Sequence, residues 1–300
     1  MHVMGGGDVG GAKTQIMNTV TGLSRTNDVM LISFRAGPFA DEARERGIDV
    51  RVIERHNPFR AARTMRDLVD EFKPDIIHCH GGRANLMGAM VRRSRRIPII
   101  TTVHSDYRLD YLGSPLKQHT LGTANAIALR FLDFYQPVAD RMARTLIERG
   151  FDPERIVKIY NGMEFNRPEG EFDRAVYLRE TYGAEIEEGD VLCGIAARLT
   201  AVKDIATTVR GFAEALKTAP QLRLFIAGDG EDADMLKKLC DQLGVRERVT
   251  FCGWVSPVMP FFRAMDINLL SSVSETFPYS ILEGVCAGCA TICSCLLYTS

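Results

Sequence analysis

The sequence predicts an α/β protein of two Rossmann-like parallel-sheet domains, and three observations carry that prediction. Short apolar runs alternate with helical patterns between residues 29 and 103, at the spacing of βαβ units that build parallel sheets. A second alternation of the same kind runs from Val191 to Ile292. Between the two, Glu164 to Asp173 carries a proline, a glycine and several charges, the composition of a linker. A first domain over residues 1–165 and a second over 166–300 are therefore expected.

Composition removes several classes of function. With 300 residues and 46% hydrophobic content, the chain is long enough for two ordinary cores. A net charge of −1 gives no electrostatic ground for nucleic acid as a partner. Met1-His2-Val3-Met4 has neither the basic flank nor the apolar core and cleavage site of a signal peptide. No apolar run approaches the ~18 residues that a spanning helix needs. The expectation is a cytoplasmic protein, peripheral to the inner face of a membrane at most. Eight cysteines without a secretion signal read as buried free thiols. Cys286, Cys289, Cys293 and Cys295 cluster, but the first two fall in a predicted helix and the third in an apolar run. Such positions do not converge on zinc or an iron–sulfur cluster, so no metal is expected.

In chain order, Gly5-Gly6-Gly7-Asp8-Val9-Gly10-Gly11 contains the G-x-G-x-x-G of a dinucleotide loop at Gly5, Gly7 and Gly10. Only four residues precede it, and Arg35 rather than an acid closes the second strand, which suits NADP and not NAD. An NADP-dependent oxidoreductase using Gly5, Gly7, Gly10 and Arg35 stays open at this point, as does a plain tight turn. A helix follows from Ala12 to about Leu23, with Ile16, Val20 and Leu23 at helical spacing. Then come a strand (Val29 to Phe34), a helix (Phe39 to Arg46), a strand (Val50 to Ile53) and a helix (Pro58 to Phe72).

The strand Pro74 to His80 puts His78 and His80 on one face, where a metal would need a third ligand that nothing nearby supplies. After a helix from Ala84 to Arg93, the run Arg92-Arg93-Ser94-Arg95-Arg96 reads as cations at a helix C-terminus. Contact with anionic lipid is the alternative. The strand Ile97 to Val103 ends in His104-Ser105-Asp106, at the edge of a parallel sheet where function gathers. Tyr135 to Ala139 is a strand, Ala139 to Arg149 a helix stopped by Gly150, and Ile156 to Tyr160 runs into Asn161-Gly162.

The second domain opens with a helix around Ala175 to Tyr182 and a buried strand, Val191 to Ala197. Arg198 and Lys203 lie on the loop that leaves this strand. Together they offer a diphosphate a fork of donors and a point charge. Leu222 to Ala227 ends in Gly228-Asp229-Gly230, and Asp232 and Asp234 fall in a helix first turn, where the dipole alone explains acids. Val249 to Trp254 is a short strand, Pro257 to Met265 a helix, and Ile267 to Ser272 a buried strand. Glu275 sits on the loop after it, with Pro278 at the first turn of a helix that carries Glu283. A carboxylate accepts hydrogen bonds on two oxygens, which suits the neighbouring hydroxyls of a sugar or ribose. Two such acceptors beside a helix N-terminus describe a pocket for a sugar nucleotide.

Glu275-x7-Glu283 with Phe277-Pro278 inside it, followed by Gly284, Ala287 and Gly288, resembles the donor-site motif of the retaining GT-B glycosyltransferases of family four. Arg198-x4-Lys203, Gly228-Asp229-Gly230, Gly10-Gly11, the Thr-Val-His strand end at His104 and the Asn161-Gly162 turn are similar to the same family. Asp204 departs from it, standing where the family usually has glycine. The resemblance implies two domains facing across a cleft, with the acceptor mainly on the first and a UDP or GDP type nucleotide sugar on the second.

The resemblance also distributes the roles. His104 would contact the donor sugar, Arg198 and Lys203 the diphosphate, Glu275 the sugar hydroxyls and Glu283 the ribose diol. Gly10 and Gly11 would bring backbone N–H groups to the donor phosphate and the acceptor. Gly228, Gly230, Phe277 and Pro278 would border the nucleotide, and His80 would line the cleft with His78 structural. No cofactor or metal is implied. The acceptor would be a saccharide or lipid-linked sugar of cell-surface polysaccharide or glycolipid synthesis. Family members usually run further, and Cys293 to Ser300 lacks the expected Gly-rich loop. The resemblance thus implies a truncated fragment with an incomplete second domain, and an idle nucleotide-sugar-binding fragment is a further alternative.

Overall fold

A computed structural model describes residues 1–5, 11–55, 57–92, 96–106, 108, 116, 118–163 and 170–294. The expected parallel-sheet architecture is borne out. Strands β1 (His2–Met4), β2 (Met30–Ser33), β3 (Asp49–Val52), β4 (Ile77–His80), β5 (Ile99–Val103) and β6 (Phe134–Pro137) form one sheet in the order β3-β2-β1-β4-β5-β6. Every pairing in it is parallel. Alternate residues serve opposite faces, as the period of a strand requires. Val3, Ile32 and Cys79 join a core with Met65, Met87 and Val91, while Met4 and Leu31 join Ile16, Val20 and Phe39 on the other side. Burial on both faces is why these strands read as nearly unbroken apolar runs.

The second sheet holds β7 (Val191–Ala196), β8 (Leu222–Ala227), β9 (Val249–Gly253), β10 (Ile267–Leu270) and β11 (Ala290–Cys293), in the order β11-β10-β7-β8-β9, again all parallel. In each sheet the chain starts in the middle, winds outward on one side, and returns to pair with the starting strand on the other. The order reverses between β1 and β4 in the first sheet and between β7 and β10 in the second. Ligands of open α/β sheets bind at such reversals, beyond the carboxyl ends of the strands.

Contacts divide the chain between Gly162 and Met163 into two compact units. Most helices lie within a residue or two of expectation. The helix Pro58–Phe72 begins at its proline, and Asn57 caps it by accepting from the Phe59 and Arg60 N–H groups at 2.9 and 3.2 Å, which satisfies two donors left open by the first turn. Pro278 proves to be the N-cap of the helix Tyr279–Ala287 rather than part of its first turn. Residues 118–129, for which periodicity gives no assignment, form a π-helical turn and the short helix Thr123–Leu129. Their pattern is obscured because Leu121 and Ile127 stay more than half exposed.

Among the described residues seven cysteines are free, five of them buried. Burial pushes the Cys79 thiol up to about 12, which makes it inert as a nucleophile. No helix among the described residues is long and apolar enough to cross a membrane.

Candidate functional site

The reversal in the second sheet is built by backbone contact before any side chain takes part. On leaving β7, the Ala197 and Leu199 N–H groups donate to the carbonyls of Ala227 and Asp229 at 3.0 and 2.9 Å, and the Asp232 N–H donates to the Leu199 carbonyl at 3.0 Å. This zips the loop that carries Arg198 to the Gly228-Asp229-Gly230 turn. A Cβ on Gly228 would lie 1.8 Å from the Ala197 oxygen, and one on Gly230 would lie 2.2 Å from that of Leu199. Both glycines are therefore demanded by the approach of one backbone to another. Arg198 itself is exposed.

Beyond a single 3-10 turn at Ala201–Lys203, Asp204 adopts the left-handed conformation at φ 44° and caps the helix Ile205–Leu216. The departure from glycine at this position is thus explained. Aspartate is among the few residues that tolerate left-handed backbone, and here its carboxylate also accepts from the Thr207 hydroxyl at 2.7 Å. The loop after β10 is fastened to this segment. The Val273 N–H donates to the Val202 carbonyl at 2.9 Å, the Ser271 hydroxyl to the Asp204 carbonyl at 2.8 Å, and the Thr208 hydroxyl to Ser271 Oγ at 2.7 Å.

The fastening brings two of the expected residues together. Lys203 Nζ donates to Glu275 Oε1, and the Ser272 hydroxyl donates to the same oxygen at 2.6 Å. The side chains are only 20% and 10% exposed, so this is a largely desolvated ion pair with one neutral donor beside it. Phe277 is half-buried and Pro278 buried on the same loop.

Glu283 arrives on the helix Tyr279–Ala287. That helix lies tight on β10, because a Cβ on Gly284 would stand 2.4 Å from Asn268 Nδ2, which donates to the Ser280 carbonyl at 2.8 Å. Burial pushes the Glu283 carboxyl up to about 7. The sign follows from linkage. Between the usual 4.5 and 7 the folded chain holds a proton that the unfolded chain has lost, so stability falls as pH rises. The loss is complete above pH 7 and amounts to about 3 kcal/mol. Glu283→Gln should remove that slope. In urea titrations the variant should gain on the parent between pH 5 and pH 8, and a difference independent of pH would show that the carboxyl is not held neutral.

In the first unit Gly11 opens the helix Gly11–Leu23, while Gly10 lies outside the described residues, as do Gly6 and Gly7. Of the basic run, Arg92 is engaged by Asp133, which also accepts from the Ile99 N–H at 2.9 Å; residues 93–95 are outside the described set. His104 is half-buried just past β5. Two residues on, Asp106 receives both Arg149 terminal nitrogens at 2.7 Å. Burial alone would raise the Asp106 carboxyl, but the Arg149 fork outweighs it and holds it below its usual range. The loop after β5 is fixed in this way to the end of the helix Asp140–Glu148.

Two readings of the histidines need correction. His80 does not line an open surface, being 2% exposed. A third imidazole is also at hand, since β1 pairs with β4 so that His2 lies opposite His78. Ligand atoms of His2, His78 and His80 fall within 4.8 Å of one another. The rings nonetheless do not form a metal centre as they stand. His78 Nε2 is engaged with Thr102 Oγ1 at 2.7 Å, and its ring is stacked on His80 with centroids 4.4 Å apart, so these two rings present faces to each other rather than lone pairs to a shared ion. His2 escaped the sequence reading because only strand register, which two isolated runs do not encode, places it there. Ser271, Ser272 and Thr208 escaped it too, since small hydroxyl residues in a loop carry no signal until their partners are known.

Residues 9–167 match the family described as Glycosyltransferase Family 4, and residues 183–296 match Glycosyl transferases group 1. The chain belongs to glycosyltransferase family 4. Its two Rossmann-like units are those of the GT-B fold that this family shares. An uncharacterized glycosyltransferase of Methanocaldococcus jannaschii is 28% identical over 236 residues, which cover 74% of this chain and 58% of that protein. The alpha-monoglucosyldiacylglycerol synthase of Streptococcus pneumoniae is 26% identical over 250 residues, covering 80% of this chain and 56% of the synthase. The chain thus spans less than two thirds of the length of these curated relatives. Among solved structures, Anabaena HepE in complex with UDP-glucose superposes with a TM-score of 0.82 at 20% identity, covering 98% of this chain and 80% of HepE. That likeness supports the fold.

Proposed function

We propose that the protein transfers a hexosyl unit from a UDP-sugar to a saccharide or lipid-linked acceptor with retention at the anomeric carbon. The observation that carries the reading is the meeting of Lys203 and Glu275 at the β7/β10 reversal, where a cation for the diphosphate and an acceptor for the sugar have to be neighbours. Arg198 and Lys203 neutralise the charge that grows on the departing diphosphate, a stabilisation that is strongest in the transition state. Glu275 accepts from donor-sugar hydroxyls, and Glu283 from the ribose diol. The contact of His104 with the donor sugar rests on the family resemblance. Family members include a synthase named for a glucosylated diacylglycerol, which favours an acceptor at the cytoplasmic face of a membrane.

Release of UDP from UDP-glucose, measured with and without vesicles containing diacylglycerol or a soluble saccharide, tests the proposal. Acceptor-dependent release is the expected result. Thermal stabilisation by UDP without any release would favour the idle nucleotide-sugar binder, and stabilisation by NADPH but not UDP would favour the oxidoreductase.

A further inference from the structure

We propose that His2 and His80 are positioning residues, forming with His104 a hydrogen-bonded imidazole row that couples the tautomer of His104 to their own. The inference builds on the reading of His104 as the donor-sugar contact.

The row follows from register. His80 lies in β4 between β1 and β5, paired with Met4 on one side and Thr102 on the other, and His104 follows two residues after Thr102, just past the end of β5. His2 and His80 occupy one face as well, because residues two apart share a face, His2 with Met4 in β1 and His78 with His80 in β4, and these pair side by side. The nitrogens complete the alignment. His2 Nδ1 stands 3.2 Å from His80 Nε2, with the two rings 12° from parallel, and His80 Nδ1 stands 3.5 Å from His104 Nε2. His78 covers this row, tilted against His2 and stacked on His80, and is itself held by the Thr102 hydroxyl.

A neutral imidazole has one N–H and one lone pair. Burial, seconded by the neighbouring rings, lowers His2, His78 and His80, and burial lowers His104, with His78 and His104 at about 4. The row is consequently uncharged at neutral pH, and each link needs one donor and one acceptor.

Only two arrangements satisfy both links. In one, His2 Nδ1–H donates to His80 Nε2, and His80 Nδ1–H donates to His104 Nε2, which leaves the His104 proton on Nδ1. In the other, every bond reverses and His104 carries its proton on Nε2. All three rings must then share one tautomer. His104 presents a donor at Nδ1 in the first arrangement and an acceptor there in the second. A group that polarises a sugar hydroxyl or accepts from one has to be the right one of the two, and the two buried histidines tie that choice to their own tautomers.

Ring-nitrogen NMR of the 15N-histidine-labelled protein at neutral pH tests this. His2, His80 and His104 should all report protons on the same-named nitrogen. His2→Phe, which keeps a ring but cannot hydrogen-bond, should shift the His104 tautomer ratio, while His119→Gln should not. His80→Gln, with one donor and one acceptor, should preserve the wild-type ratio better than His80→Leu, and the melting temperature of each variant reports whether it folds. Mixed tautomers along the row, or a His104 signal indifferent to His2→Phe in a folded variant, would overturn the proposal.

Turnover supplies an independent readout. His2→Phe should lower kcat by about tenfold with the donor KM little changed, since the group is lost from the transition state and not from binding. A row intact by NMR but without effect on kcat when broken would overturn the donor-contact role of His104, and the positioning role with it. Absence of all UDP release in the parent protein would instead fail the proposed function and leave the NMR result to stand by itself.

Discussion

Gly228→Ala is expected to unfold the second unit at markedly lower urea than the parent chain, with a loss of at least about 4 kcal/mol. Gly228 has φ +138°, and its Cβ would sit 1.8 Å from the Ala197 carbonyl oxygen. Backbone cannot yield as the tip of a flexible side chain does. Restoring ordinary contact means pulling the Arg198 loop off the turn by more than an ångström, which breaks the Ala197–Ala227 and Leu199–Asp229 hydrogen bonds and disturbs the 2.7 Å bond from the Gly228 N–H to Gly253. Gly244→Ala provides the comparison. It too has a positive φ, at +68°, but in the left-handed region that other residues can reach and with open space around it, so only a conformational cost of about 1–2 kcal/mol applies. The chain has one tryptophan, Trp254, in the second unit, and its fluorescence reads that unit selectively. Equal costs at the two glycines would show that the close approach does not hold the loop.

Much of the fold could be read because βαβ alternation is a local signal. The central strands are buried on two faces and most helices on one, so their periods differ over a few residues. The second reversal was equally accessible. Arg198, Lys203 and Glu275 stand at loop positions that any parallel sheet places at its carboxyl edge, and Glu283 lies on the helix that follows the last of these loops. What stayed hidden depends on pairs distant in sequence. Nothing local says that His2 and His80, 78 residues apart, exchange a hydrogen bond, or that Ser271 anchors the segment holding Lys203. Gly228 and Gly230 could be marked as important, yet their immediate task, letting two backbones touch, needs the partner strand. Asp204 looked like a defect in the motif and turned out to do glycine's work and a cap's work together. Glu283 looked like an ordinary ionised acid, and only its burial reveals a carboxyl that titrates near neutrality.

Substitutions at Lys203 and Glu275 should separate stability from catalysis. The Lys203 ammonium is engaged by Glu275, so a diphosphate must compete with a carboxylate for it. Glu275→Gln keeps the hydrogen bond from Ser272 but removes the competing charge. UDP should therefore bind this variant several-fold more tightly than the parent, while on the proposed donor site transfer from UDP-glucose should fall because the sugar loses its carboxylate acceptor. Lys203→Met acts in the opposite sense. It strands a carboxylate that is 90% covered, which costs about 3 kcal/mol of stability when one partner of such a pair is removed. On the proposed donor site it should also remove a cation from the transition state and lower turnover by about 10²–10³-fold. The double variant Lys203→Met with Glu275→Gln should recover most of the stability and none of the turnover, because the stranded charge is gone but the diphosphate still lacks its partner. Urea midpoints and calorimetric titration with UDP measure the two halves separately. If UDP binds the double variant as tightly as it binds Glu275→Gln alone, Lys203 takes no part in holding the diphosphate, and the donor site must be built from other residues.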